Sequence, residues 1–304
     1  MNQYPTDQRR EYFDVLNQHN VTEIDTAAAY PDSEQILGQL GIPTKFTIHT
    51  KIASWVPGRL ARKPLISSAL LSLYELKVES VDILFLHAPD SETPLEETVS
   101  AMNELYEAGK FKRFGLSNYL PEDVDKVVSI SKANNWILPT VYQGNYNPVA
   151  RRIEDSLFPV LRKHKISFFA YSPLAGGFLT KTAETITAGV PGGRFDKESR
   201  IGTMYHELYA RPKLLAALKK WAQVAQEAGV TQAALSYRWV AYHSALKKDL
   251  GDGMIIGASR PAQLEETLKA VEQGPLPEKA VKAIQEIWEE VKDEAPLDNF
   301  NKEA

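Results

Sequence analysis

Four residues of suggestive types stand at telling places in the chain. Asp25 closes a short extended run, Tyr30 follows in the turn that leads to Ser33-Glu34, Lys51 closes a second run (FTIHTK), and His87 ends a third (VDILFLH). Together, a carboxylate, a phenol, an ammonium and an imidazole can deliver a proton to a carbonyl oxygen as a hydride reaches its carbon. A phenol alone, with a pKa of about 10, is too weak, and bringing it to about 7 takes roughly 4 kcal/mol at about 1.36 kcal/mol per unit. A lysine ammonium about 4 Å away supplies roughly 4 kcal/mol at an effective dielectric near 20, against about 1 in bulk water. One lysine therefore suffices in a dry site. Asp25 would keep Lys51 charged and aimed, and a neutral His87 would donate a hydrogen bond to the carbonyl and share its developing charge. Taken singly, each residue has an ordinary explanation: a helix cap, a packed aromatic, a solvated strand end, a satisfied core histidine. Only a fold that gathers strand ends on one rim turns them into a site.

The pattern around them supplies such a fold. Short β-branched or aromatic runs at 22–25, 46–51, 81–87, 111–117, 140–143, 166–172 and 254–258 are each followed by a longer stretch, several of them with helical spacing. Several runs are almost continuously apolar, as parallel strands buried on both faces require. Helical spacing is plainest over 8–19, 65–76, 213–227 and 281–291, and Pro121-Glu122-Asp123 marks a helix start. Repeated β-then-α order without a break in composition predicts one α/β domain over residues 1–304 with a parallel sheet. No G-x-G-x-x-G follows any strand, which counts against a Rossmann unit. The Gly/Pro-marked segment 176–212 reads as an excursion over the strands' carboxyl ends.

In a barrel of this kind the chemistry sits at those carboxyl ends. Besides the four residues they carry Ser117-Asn118, Gln143, Tyr171-Ser172 and Gly257-Ala258-Ser259. Asn118 and Gln143 are amides suited to a carboxamide such as that of nicotinamide, and Tyr171 offers a face for its ring. The stretch IIGASRPAQLEETL ends a strand and starts a helix, either a capped surface helix or an anion site at whose head Arg260 suits a 2′-phosphate and hence NADPH over NADH.

Composition closes other routes. Hydrophobic residues make up 43% and charged residues 24% of the 304, and the net charge is −4 with both signs interspersed. That gives no footprint for nucleic acid or an anionic membrane. The absence of cysteine removes disulfides, thiolate nucleophiles and cysteine-held metals, and no metal is expected in the site. No apolar stretch has the length of a membrane span or a secretory core, so a soluble cytoplasmic protein is the expectation.

The motif D-T-A-x-x-Y-x-x-S-E-x-x-L-G, Asp25 to Gly38, resembles the signature of the aldo-keto reductases. KFTIHTK, VDILFLHAPD, GKFKRFGLSNY, VYQGNYNPVARRIE, AYSPLAGGFLT and IIGASRPAQLEETL are similar to that family's segments in order and spacing. The likeness is greatest to the aflatoxin aldehyde reductase branch and related fungal secondary-metabolism reductases. It implies a (β/α)8 TIM barrel that reduces an aldehyde or ketone to an alcohol with NADPH, with Tyr30 as proton donor beside Asp25, Lys51 and His87. Cofactor positions implied are Asp25, Ser117, Asn118, Gln143, Tyr171, Ser172, Leu174 and Gly176 at the nicotinamide and pyrophosphate. Arg194 from the excursion joins them, and Gly257, Ser259, Arg260, Gln263 and Glu266 fall at the adenosine end. His87, Trp55 and Asn145 would meet the small-molecule carbonyl substrate, with Tyr146, Phe178 and the closing PLDNFNKEA shaping the pocket. A polyketide-derived substrate and a homodimer are further implications of the resemblance. Two departures are Pro31, where relatives have glycine, and Thr267, where many have asparagine. The chain starts just before the family's first helix, so the barrel is expected to lack the N-terminal hairpin and first strand. The alternative function is an NADPH-binding regulatory protein or truncated relic with impaired catalysis.

Overall fold

The computed structural model describes residues 6–301; the segment MNQYP and residues 302–304, which end PLDNFNKEA, lie outside them. The described residues form seven strands: β1 (Glu23–Asp25), β2 (Thr47–Ile52), β3 (Val81–Leu86), β4 (Phe111–Ser117), β5 (Pro139–Asn145), β6 (Ser167–Tyr171) and β7 (Gly253–Met254). They form one sheet in chain order, β1 to β7, and the pairings resolved residue by residue are all parallel. Helices alternate with them: α1 (Thr6–Gln18), α2 (Ser33–Gln39), α3 (Arg62–Leu76), α4 (Leu95–Glu107), α5 (Pro121–Asn134), α6 (Ile153–Ser156) and α7 (Phe158–Lys163) precede β6. After it come α8 (Ala183–Ala188), α9 (Arg200–Tyr209), α10 (Pro212–Glu227), α11 (Gln232–Tyr242), α12 (Pro261–Glu272) and α13 (Glu278–Val291). This is the strand–helix succession of a (β/α)8 barrel less one strand, with β1 and β7 as the sheet's edges. No described helix is long and apolar enough to cross a membrane.

The chain divides into two compact units, one of Met1–Gln143 with Pro159–Phe168, the other of Gly144–Phe158 with Phe169–Ala304. In the first, register decides which side chains meet. Asp25 lies opposite His49, Lys51 opposite Phe85, Phe85 opposite Gly115, and Ser117 opposite Gln143. Register partners in a parallel pair share a face, and alternate residues along a strand return to it. Asp25, His49, Lys51 and Phe85 therefore share one face. Thr50 turns to the other, where its hydroxyl bonds to the Glu34 carboxylate on α2. Gly115 is a requirement of packing: a Cβ there would lie 2.2 Å from the Phe85 ring.

In the second unit, α13 buries Ala280, Ile284, Ile287 and Val291 along one stripe, and α10 buries Leu214, Leu218, Trp221 and Ala225. Such spacing at three and four residues is the amphipathic signature. Strand β7 is shorter than the 254–258 expected. Beyond Met254 only the Ile255 N–H reaches a strand, at Ala170 O. Gly257 O is taken by the Tyr237 hydroxyl and the Ser259 N–H by Gln263. Side chains thus satisfy the backbone that a neighbouring strand would otherwise pair. The 176–212 excursion holds its own structure, α8 and α9, with Ser199 capping α9 by accepting from the Gly202 N–H.

Candidate active site

The first unit brings the four catalytic candidates together. Lys51 is fully buried, and its Nζ donates to Asp25 Oδ2 at 2.5 Å and to Thr26 O at 2.8 Å. It also lies 5.2 Å from the Tyr30 ring's centroid, with Phe85 beneath it at 5.9 Å. The room that Gly115 leaves for Phe85 thus supports the ammonium. Burial by itself would push the lysine's pKa down, but Asp25, then Tyr30, outweigh it, and the pKa is held above its ordinary value. Lys51 is a permanent cation in a nearly dry place. Asp25 is held from its other oxygen as well, since Gln143 Nε2 donates to Oδ1 at 2.9 Å.

Tyr30 sits in the turn between β1 and α2, fixed by its N–H on Ala27 O and by Ser33 N–H on its own carbonyl. It is 41% exposed, so the phenol can meet a ligand while the lysine behind it cannot. His87 stands edge-on to Tyr30, with ring centroids 5.8 Å apart, and Trp55 packs on it at 5.2 Å. Burial, then the charge of Lys51, lowers the imidazole's pKa to about 3, so it is neutral at physiological pH. Its Nδ1 is buried without a hydrogen-bond partner among the described residues. A proton there would be an orphaned donor, which folded proteins avoid more strictly than an unused lone pair. A proton on Nε2 leaves no such orphan, and that tautomer can donate to a carbonyl oxygen.

Asn118 and Ser117 adjoin His87. Asn118 Nδ2 donates to the His87 backbone carbonyl at 2.8 Å and to Ser117 Oγ at 3.1 Å, and Asn118 adopts φ 60°. A non-glycine residue in the left-handed region is uncommon, and asparagine is the type that tolerates it.

The other candidates belong to the second unit. Tyr171 accepts from the Asn299 N–H at 3.3 Å, in the C-terminal segment. The turn after it is unusual: Ser172, Ala175, Gly176 and Gly177 all have positive φ. At Gly176 a Cβ would fall 2.1 Å from the Tyr205 ring. Tyr205 in turn shares a hydrogen bond with Ser172 and lies under the Arg194 guanidinium at 5.6 Å. Leu174 is half-buried in this turn. Asn145 is 1% exposed and exchanges hydrogen bonds with the Tyr209 hydroxyl at 3.1 and 3.2 Å. Tyr146 donates to Glu154, and Phe178 is fully buried. Gly257, Ser259 and Arg260 lead into α12, where Gln263 Oε1 accepts from the Ser259 N–H and Glu266 is exposed.

Sequence reasoning took Gln143 only as a cofactor amide and missed its bond to Asp25. It also gave no role to Asp90, whose carboxylate collects four hydrogen bonds beside the His87 loop. The acid directly after LHAP was the available signal. Among the described residues no group of acids and histidines could hold a metal ion.

The chain is similar to known proteins over nearly its whole length. It is 41% identical over 292 residues to the oxidoreductase sirO of Leptosphaeria maculans, covering 95% of this chain and 88% of the relative. An aldo-keto reductase of Pseudocercospora fijiensis is 40% identical, with 92% of this chain and 97% of that protein covered. Human aflatoxin B1 aldehyde reductase member 4 is 40% identical, with 90% and 87% covered. The aldo/keto reductase family model matches residues 2–289. With the parallel strand–helix succession and the gathered Asp25, Tyr30, Lys51 and His87, these likenesses establish the chain as an oxidoreductase of the aldo/keto reductase family.

Proposed function

We propose that this protein, as one barrel domain, reduces an aldehyde or ketone to an alcohol with NADPH, Tyr30 giving the proton. The observation that carries this reading is Lys51, fully buried, held by Asp25 and 5.2 Å from the Tyr30 ring's centroid. In such surroundings, as Tyr30 Oη releases its proton to the carbonyl oxygen, the phenolate forms beside a fixed ammonium. Asp25, itself anchored by Gln143, keeps that ammonium in place. His87, neutral and protonated on Nε2, donates to the same oxygen and orients it, and Trp55 on its flank suits flat or apolar carbonyl compounds.

Each unit by itself carries groups suited to one part of a nicotinamide dinucleotide. Asn118 and Gln143 are buried amides at the ends of β4 and β5, beside Ser117. Tyr171, Ser172, Leu174, Gly176 and Arg194 supply an aromatic face, a tight positive-φ turn and a cation for the pyrophosphate. Gly257, Ser259, Arg260, Gln263 and Glu266 stand at the start of the 12-residue helix α12, whose amino end favours phosphate. Arg260 there favours a 2′-phosphate, hence NADPH. When bound, the reduced nicotinamide supplies the hydride.

The test is Tyr30→Phe. Carbonyl-dependent NADPH oxidation should fall by about 10²–10⁴-fold, the worth of general acid catalysis, while NADPH binding, read by fluorescence titration, stays within about twofold. A fully active Tyr30→Phe protein would end the assignment. A wild-type chain that binds NADPH yet reduces no carbonyl compound would instead return the regulatory reading.

A further inference from the structure

We propose that Asp90 is a positioning residue for Trp55: it holds the indole against His87 and so sets how large and flat a carbonyl compound the first unit accepts. The inference rests on the carbonyl-reducing function proposed above. Trp55 lies in the loop between β2 and α3, and His87 in the loop between β3 and α4. Trp55 is 39% exposed and its neighbour Val56 is 56% exposed, so packing around the loop tip is sparse. What joins the two loops is a set of hydrogen bonds centred on one carboxylate.

Asp90 Oδ1 accepts from the Gly58 N–H at 3.0 Å and the Glu92 N–H at 3.1 Å. Oδ2 accepts from the Leu60 N–H at 2.9 Å and the Thr93 hydroxyl at 2.7 Å. Two of these donors belong to the Trp55 loop and two to Asp90's own loop, so the carboxylate is a staple between them. A second staple runs the other way, as the Ala88 N–H donates to the buried Ser54 Oγ at 2.7 Å. Ala88 and Ser54 are the immediate chain neighbours of His87 and Trp55. The indole is thereby pinned from both sides, 5.2 Å from the imidazole at an interplanar angle of 68°. The donors to Asp90 also outweigh its burial and hold its carboxyl below the usual range, so all its acceptor positions persist at neutral pH.

The residue that closes LHAPD thus does not touch the reacting atoms but governs the wall beside them. Asp90→Asn keeps the volume and removes acceptor capacity from one edge. The expected result is a rise of about five- to tenfold in KM for an aromatic aldehyde, in the range of couplings within one hydrogen-bond network. The kcat, and the KM for a short aliphatic aldehyde, should move by less than about twofold. In a Trp55→Ala background Asp90→Asn should then have no further effect. Equal losses on both substrates, or full additivity with Trp55→Ala, would mean that Asp90 merely supports the fold, and would overturn the proposal.

A second readout needs no turnover. Acrylamide quenching of wild type minus that of Trp55→Phe isolates the Trp55 signal, and Asp90→Asn should raise its quenching about twofold. Unchanged quenching refutes the positioning role even if the protein reduces nothing, whereas failure of turnover with intact quenching behaviour strikes only the proposed function. Should Asp90→Asn fail to fold, Ser54→Ala removes a single bond and must shift both readouts in the same direction.

Discussion

The neutral state of His87 has a measurable cost in acid, and His87→Gln exposes it. Burial, then the Lys51 charge, lowers the folded-state pKa from 6.5 to about 3. Between these values the unfolded chain binds a proton that the folded chain refuses, so stability rises with pH through this window and is lost as pH falls through it. With 6.5 and about 3 as the two pKa values, the loss from this one group is about 1 kcal/mol near pH 5.5 and about 3 kcal/mol near pH 4.5. Glutamine fills similar space and does not titrate. Urea unfolding of wild type and His87→Gln at about pH 7.5, 5.5 and 4.5 should show the variant gaining about 3 kcal/mol relative to wild type over the series. His49 and His243, also held below the ordinary histidine value by burial first, steepen both curves alike and cancel in the difference. Parallel curves would mean that the imidazole titrates normally. They would remove the basis for a neutral hydrogen-bond donor in the site.

Two further outcomes concern the second unit. Arg260→Leu should raise the KM for NADPH by about 10- to 100-fold, the worth of one or two charge-assisted hydrogen bonds, and leave that for NADH nearly unchanged, as initial rates with each cofactor would show. Gly176→Ala would place a Cβ 2.1 Å from the Tyr205 ring at a φ of 67°; a loss of about 2 kcal/mol or more is expected, read as a fall in Tm, and an unchanged Tm would show that the turn can relax.

The candidate groups stand out in the sequence because they sit where strands end. Asp25, Lys51 and His87 interrupt or close apolar runs, and a polar residue at that point stands out against its neighbours. Strand β4 begins and ends where the pattern places it, at Phe111 and Ser117. Helices α4 and α11 were less visible, since Thr98 and Asn103 on α4, and Ser236 and Arg238 on α11, are polar side chains that the fold nonetheless buries. Hydrophobic spacing weighs such residues as surface. What spacing could not express was which polar groups bind one another. Gln143 and Asp25 are 118 positions apart and still share a 2.9 Å hydrogen bond, and Asp90 reaches back to Gly58 and Leu60 across a whole helix. Such bonds depend on register and loop path, which no local pattern encodes.

Strand β1 has three residues, pairs with β2 through three register partners, and forms one edge of the sheet. The Lys51 ammonium therefore takes its counter-ion from a strand held by few backbone pairs. Short strands are among the first to open in local fluctuations. Warming should silence turnover before the bulk of the protein melts, because fraying of a few peptide groups at Asp25 is enough to strand a cation that the rest of the architecture still encloses.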